Sequence, residues 1–195
     1  MFDKLKSLDT DLMIFLNNLG SEKFDFLWLA ITNKYTWIPF YFYLMYLYFN
    51  SVKLKPKSIF LFFVVIGLMI LFTDQSSNLS KQYFQILRPC HNEEIYGLIR
   101  VVKEGCGGLY GFFSAHSSNS FAIAGFFYFS LSNYSKLRKF LFLWAVVIAY
   151  SRIYCGVHFP SDVVVGGTYG LASGYLAFIF YSYLLKNQSF LSKSA

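Results

Sequence analysis

Charged residues are scarce in this chain: Asp, Glu, Lys and Arg make up 14% of its 195 residues, where a soluble domain carries about a quarter. Hydrophobic residues reach 56% and aromatic ones 22%, a balance that excludes an ordinary soluble domain and points to a membrane protein. Acids are the scarcer of the two signs, 10 against 17 basic residues, for a formal charge of +7. That excess does not describe a nucleic-acid binder, because the cations are scattered between apolar segments and form no basic face. The start, Met1 to Lys6, lacks a continuous apolar core and a small-residue cleavage site, so the N-terminus is expected to be retained. No internal repeat or low-complexity linker breaks the sequence. One domain is expected over 1–195, with an amphipathic N-terminal region at 1–34 and a transmembrane core at 36–185.

Within that frame, residues 4–18 place Leu5, Leu8, Leu12, Phe15 and Leu16 at helical spacing, with Asp3, Lys6, Asp9 and Asn17-Asn18 opposite. Such a helix lies in the membrane interface, and Gly20 ends it. Spans are expected at 36–50, 59–78, 119–132, 140–156 and 161–185. The fold class is therefore an all-α membrane bundle of about five transmembrane helices, or six if residues 11–33 also cross. Gly166, Gly167, Gly170 and Gly174 mark a helix-packing face on the last span. Lys53, Lys55 and Lys57, then Lys136, Arg138 and Lys139, then Lys186 and Lys193 occupy segments without a single acid. The positive-inside rule assigns them to the cytoplasm of a cytoplasmic (inner) membrane protein. Residues 79–117 and the hinge near 156–160 then face the extracytoplasmic, periplasmic side.

Three polar clusters sit in or beside those outer segments. Lys81 and Arg88 are seven apart, about two helical turns, so both can face one point before Pro89 stops the helix. An ammonium and a guanidinium suit a phosphoryl group, although juxtamembrane cations also bind lipid head groups. Ser114-Ala115-His116 leads into the third span, where free backbone N–H groups and the helix dipole favour an anion. His116 is placed there to protonate a leaving oxygen. In the third cluster Arg152 ends one span, Pro160 opens the next, and His158 and Asp162 are four apart. The carboxylate can fix the imidazole tautomer, which frees the other nitrogen as a nucleophile.

In order, the clusters read K-x6-R-P, S-A-H and S-R-x5-H-x3-D, and this resembles the type 2 phosphatidic acid phosphatase family of membrane lipid phosphatases. The third motif matches that family completely and the first at Lys81, Arg88 and Pro89. The second departs from it: Phe113-Ser114-Ala115-His116 stands where the family has Pro-Ser-Gly-His, so Ala115 brings a methyl close to the phosphate. The resemblance implies that His158 forms a phosphohistidine, that Asp162 orients it and that His116 protonates the leaving lipid oxygen. Lys81, Arg88 and Arg152 would hold the phosphoryl oxygens together with Ser114 and Ala115. It further implies a phosphatase that needs neither metal nor cofactor.

Asp74, sharing a helical face with Lys81, is expected to support the site by pairing with one of its cations. Cys90 and Cys106 lie in the outer segment, where an oxidising compartment allows a disulfide, while Cys155 reads as a packing residue. The expected partners are the bilayer and a membrane lipid phosphate; the sequence says nothing of oligomeric state. Polyprenyl diphosphate is slightly preferred as substrate over phosphatidic acid, phosphatidylglycerol phosphate or lipid A phosphate, by analogy with other small outward-facing enzymes. A lipid-to-lipid phosphotransferase of the same fold is the alternative. A small transporter would carry its charges deep within the spans, whereas here they cluster at one end.

Overall fold

The computed structural model describes residues 2–52, 56–102, 105–131 and 133–191; Met1, Lys53, Lys55 and Lys193 lie outside them. Among the described residues there is no strand, only an isolated bridge between Leu87 and Tyr110. The fold is all-α: α1 (Phe2–Asn18), α2 (Glu22–Thr32), α3 (Ile38–Ser51), α4 (Pro56–Phe84), α5 (Ala115–Ser130), α6 (Ser135–Tyr154) and α7 (Pro160–Leu191). A 3₁₀ turn over Lys34–Trp37 joins α2 to α3. By length and composition, α4 and α7 are long and apolar enough to cross a membrane. Residues 11–33 are not one helix, because the chain breaks at Leu19–Ser21 between α1 and α2.

Outward faces are apolar. Phe60, Leu68 and Phe72 on α4 and Val164, Leu176 and Phe180 on α7 are all more than half exposed, as helices surrounded by lipid tails require. Inside, Phe62, Phe126, Tyr48 and Tyr181 interlock with ring centroids 5.1–6.3 Å apart, within the range where aromatic pairs attract.

Helix α7 lies unusually close to α5, and the glycine face is the reason. A Cβ at Gly166 would stand 2.6 Å from the Ser114 carbonyl oxygen, and Cβ atoms at Gly170 and Gly174 would collide with the Ser118 and Ala122 carbonyls. Both sets repeat every four residues, so one row of bare backbone lies against another. The crossing also fixes the start of α5, since Ser114 N–H donates to the Asp162 carbonyl (3.1 Å) and Ser117 Oγ to the Val163 carbonyl (2.7 Å).

Helix α1 turns Leu5, Leu8, Leu12 and Phe15 outward, each 46–60% exposed, as an interfacial helix would. Its other face is not left to solvent. Asp9 accepts from Ser161 N (2.9 Å) and Oγ (2.5 Å), Met13 is fully buried, and Asn17 is fully buried as well. The two hydrogens of Asn17 Nδ2 are shared among the carbonyls of Arg100, Ile153 and Tyr154 (2.9–3.0 Å), and its Oδ1 accepts from Arg100 N–H (2.6 Å). The helix that resembles a surface anchor is thus bolted to the loop between α4 and α5 and to the end of α6.

Candidate active site

Four helix ends meet on one side of the bundle: the C-termini of α4 and α6 and the N-termini of α5 and α7. Lys57, Lys136, Arg138 and Lys139 sit at the opposite ends, in the first turns of α4 and α6. All three motifs lie on the first side.

Helix α6 stops at Gly156, whose φ of +77° only glycine adopts at no cost. A Cβ there would also lie 2.7 Å from the Arg100 carbonyl. Pro160 opens α7 four residues on, where its missing N–H is not needed. Between them hangs His158, 2% exposed, with Nδ1 3.1 Å from Asp162 Oδ2. The same carboxylate oxygen accepts from Phe159 N–H (3.1 Å), so it is held from two directions. Burial pushes the His158 pKa well below its ordinary 6.5, and Arg152, Arg88, Lys81 and His116 push the same way. These influences favour the neutral imidazole, with Nδ1 facing the carboxylate and Nε2 the nitrogen that the carboxylate does not engage.

The geometry of Lys81 and Arg88 corrects the sequence reading. The two are not on one helix: α4 ends at Phe84, Gln85 turns the chain with φ of +49°, and Arg88 is extended at φ −68°, ψ 155°. Pro89 is the physical cause, because it drives the residue before it out of the helical region. Arg88 is held instead by pairing with the incoming strand of loop. Its N–H donates to the Leu109 carbonyl (3.1 Å), Gly111 N–H donates to Ile86 (2.8 Å), and Arg88 Nε donates to Tyr110 (3.2 Å). Gly111 is where Arg88 and Asp162 come together: a Cβ there would meet Asp162 Oδ2 at 3.0 Å and Arg88 Cγ at 3.3 Å. Cys90 and Cys106 are joined as a disulfide, Cα atoms 6.3 Å apart, and the Cys106 carbonyl accepts from Arg88 Nη1 (3.4 Å). His91 stands beside these sulfurs, a grouping that metals use, but the disulfide takes up both thiols.

Ser114 caps α5 with its hydroxyl toward Ser117 N–H (3.5 Å). Ala115 and His116, half-buried, form one end of a cavity of about 560 Å³. Asp74 and Asn119 line the same end, while Trp37, Ile66 and Phe127 help to make the rest apolar. Asp74 accepts from Asn119 Nδ2 (2.8 Å), and Asn119 Oδ1 accepts from Thr73 (2.6 Å); Lys81 is an electrostatic neighbour of Asp74. Arg152 is 3% exposed and donates through Nη1 to the Thr32 hydroxyl. Sequence reasoning singled out neither Thr32 nor Gly111, and took Asn17 only as part of a polar helix face. Only Gly111 had a local signal, as a glycine in a loop between two motifs.

A neutral buried histidine among cations, with an apolar cavity lined by its electrostatic neighbour His116, suits an anionic group carried on a lipid stem. That arrangement belongs to enzymes that take phosphate from lipids. Residues 60–186 match the PAP2 superfamily, and the chain belongs to it. Two curated relatives are similar over most of their length. The lipid A 4'-phosphatase of Bacteroides thetaiotaomicron is 34% identical over 178 residues, 90% of this chain and 78% of the relative. The lipid A 4'-phosphatase of Porphyromonas gingivalis is 33% identical over 181 residues, 90% and 74% respectively. Among solved structures, Aquifex aeolicus LpxE superposes with a TM-score of 0.63 at 25% identity, covering 86% of this chain and 92% of that one. A PAP2-type phosphatidylglycerolphosphate phosphatase from Bacillus subtilis shares the fold, with a TM-score of 0.63 at 19% identity over 94% and 87% of the two chains. The protein is a membrane phosphatase acting on lipid substrates.

Proposed function

We propose that this enzyme removes a headgroup phosphate from a lipid A-type glycolipid, through a phosphohistidine on His158, on the periplasmic side of the inner membrane. The observation that carries the chemistry is the buried His158–Asp162 pair, 3.1 Å apart and surrounded by Lys81, Arg88 and Arg152. His158 Nε2 attacks phosphorus while the bond from phosphorus to the lipid oxygen breaks. His116, which lines the apolar cavity, gives that oxygen its proton. Asp162 stabilises the positive ring that results. Water then attacks phosphorus, His116 takes up the water's proton, and phosphate leaves with Nε2 restored. Lys81, Arg88 and Arg152, with the Ser114–Ala115 end of α5, hold the phosphoryl oxygens as charge builds on them. One such donor is worth roughly 10²–10³ in rate.

The substrate class rests on the two lipid A 4'-phosphatases, each aligned with 90% of this chain. They favour a glycolipid phosphate over polyprenyl diphosphate, the preference reached from sequence alone. The periplasmic assignment rests on charge, since the basic helix ends lie away from the motifs.

The test is phosphate release by the purified protein and its His158→Ala variant, with EDTA present. Lipid A bisphosphate, polyprenyl diphosphate, phosphatidic acid and phosphatidylglycerol phosphate are offered in turn. Lipid A is expected to be dephosphorylated fastest, with activity abolished in the variant. Preference for another lipid overturns the substrate assignment. Release by the variant overturns the nucleophile, and phosphate recovered on a second lipid makes the enzyme a transferase.

A further inference from the structure

We propose that Thr32 is a positioning residue for the phosphate site: its hydroxyl sets the orientation in which the Arg152 guanidinium meets the substrate phosphoryl group. Thr32 closes α2, well before the region 60–186 that defines the family, so nothing in the shared motifs assigns it a role. Yet it is 6% exposed and accepts a hydrogen bond from Arg152 Nη1, across 120 residues of chain. A guanidinium is a rigid planar fork, so fixing one nitrogen fixes the directions of the others. Arg152 Nε is buried without a partner among the described residues. A charged donor buried with an unmet hydrogen is a standing penalty, and an arriving phosphoryl oxygen relieves it. Thr32 also lines the cavity that begins at Ala115 and His116, which puts it where head group meets lipid stem.

The helix that presents Thr32 is itself anchored beside Arg152. Asp25 on α2 takes two bonds from Arg100 Nη2 (2.8 and 2.9 Å) and one from the Tyr154 hydroxyl (2.7 Å). Tyr154 Oη accepts from Ser21 N–H (3.2 Å) and lies 2.8 Å from the Ser21 carbonyl, which competes with Asp25 for its one proton, and Trp28 stacks on its ring at 4.9 Å. Tyr154 lies two residues from Arg152, so α2 and the end of α6 hold one another in register. The N-terminal region is thereby part of the working site and not merely an anchor.

The inference rests on the phosphate-binding reading of Arg152, and the experiment separates the two. The full chain in detergent is melted with and without inorganic phosphate, and kcat/KM is measured on its best lipid substrate, for the wild type, Thr32→Val and Thr32→Ser. The expected result is that Thr32→Val abolishes most of the phosphate-induced rise in melting temperature and lowers kcat/KM roughly 10- to 100-fold. Thr32→Ser restores both. Should Thr32→Val fail to fold, Thr32→Ala, which removes the hydroxyl without filling its place, carries the same expectation. If phosphate stabilises the wild type and the hydroxyl-less variant equally, or if Thr32→Ser is as impaired as Thr32→Val, Thr32 is a packing residue and the proposal falls alone. If phosphate does not stabilise the wild type, the phosphate-site reading falls, and Thr32 with it.

Discussion

A single methyl group added at Gly166 should separate two of the three motifs. Its Cβ would stand 2.6 Å from the Ser114 carbonyl oxygen and 3.3 Å from Ser114 N. Ordinary contact begins near 3.4 Å, so the carbonyl must retreat by 0.8 Å, the difference between 3.4 and 2.6. Nothing flexible absorbs that movement, because the obstructing atom is backbone at the cap of α5. The same residue donates its N–H to the Asp162 carbonyl, one helical turn before Gly166 on α7. Pushing α5 away therefore moves Ser114, Ala115 and His116 relative to His158 and Asp162. Overpacking of this kind costs about 1–3 kcal/mol in stability, while a displacement near 1 Å at reacting groups costs on the order of 10² in rate. Gly166→Ala is thus expected to melt lower and to lose roughly 10- to 100-fold in kcat. Gly67→Ala on α4, where a Cβ meets nothing within 4 Å, is the control. It should keep full activity and gain up to about 1 kcal/mol from the helix interior. Phosphate release per folded molecule and melting in one detergent measure both. A Gly166→Ala enzyme within twofold of wild type in rate would refute the claim that this crossing sets the site.

Acidification offers a second handle. The His158 pKa is pushed down by burial and by its four basic neighbours, so below its ordinary value of 6.5 the unfolded chain takes a proton that the folded enzyme refuses. Stability is whole above about pH 6.5 and erodes as pH falls toward the folded-state value. Comparing melting at pH 7.5 and 5.5 for the wild type and His158→Asn should show a steeper loss in the wild type; equal slopes would mean that His158 is not held neutral. The disulfide provides a third. Closing a loop with a sequence separation of 16 between Cys90 and Cys106 restrains the unfolded chain by about 3 kcal/mol. Because the Cys106 carbonyl holds Arg88, the Cys90→Ser/Cys106→Ser enzyme should melt lower and show a raised KM. An unchanged KM would show that the loop does not hold Arg88 in place.

Helices were legible in the sequence because apolar periodicity and end signals are local. Gly156 and Pro160 mark the α6–α7 hinge, and the glycine row of α7 announces a close neighbour, though not that the neighbour is α5. The pairing of His158 with Asp162 was also readable, since a four-residue spacing on one turn decides it. Arg88 was misplaced because a spacing of seven fits a helix and equally fits a helix followed by a turn; the proline beside it was the better guide. The contribution of the first 34 residues was hidden for a different reason. Thr32 meets Arg152 and Asn17 meets Ile153 across 120 and 136 residues, and no local pattern encodes such pairs. On a helical wheel, Asn17 reads as polar surface, whereas in the fold it is fully buried.

The bonds of Asn17 also order events in time. Its acceptors lie 83, 136 and 137 residues further along the chain. When α1 leaves the ribosome, none of them has been made. Its outward leucines can settle on the bilayer at once, but its inner face must wait, with Asn17 bonded to water, until the end of α6 has been synthesised. Helix α1 is therefore secured only after α6 has been made, and because α2 follows α1, Arg152 meets its threonine no earlier. A truncated chain lacking the end of α6 should leave its N-terminal helices lying loose on the membrane surface.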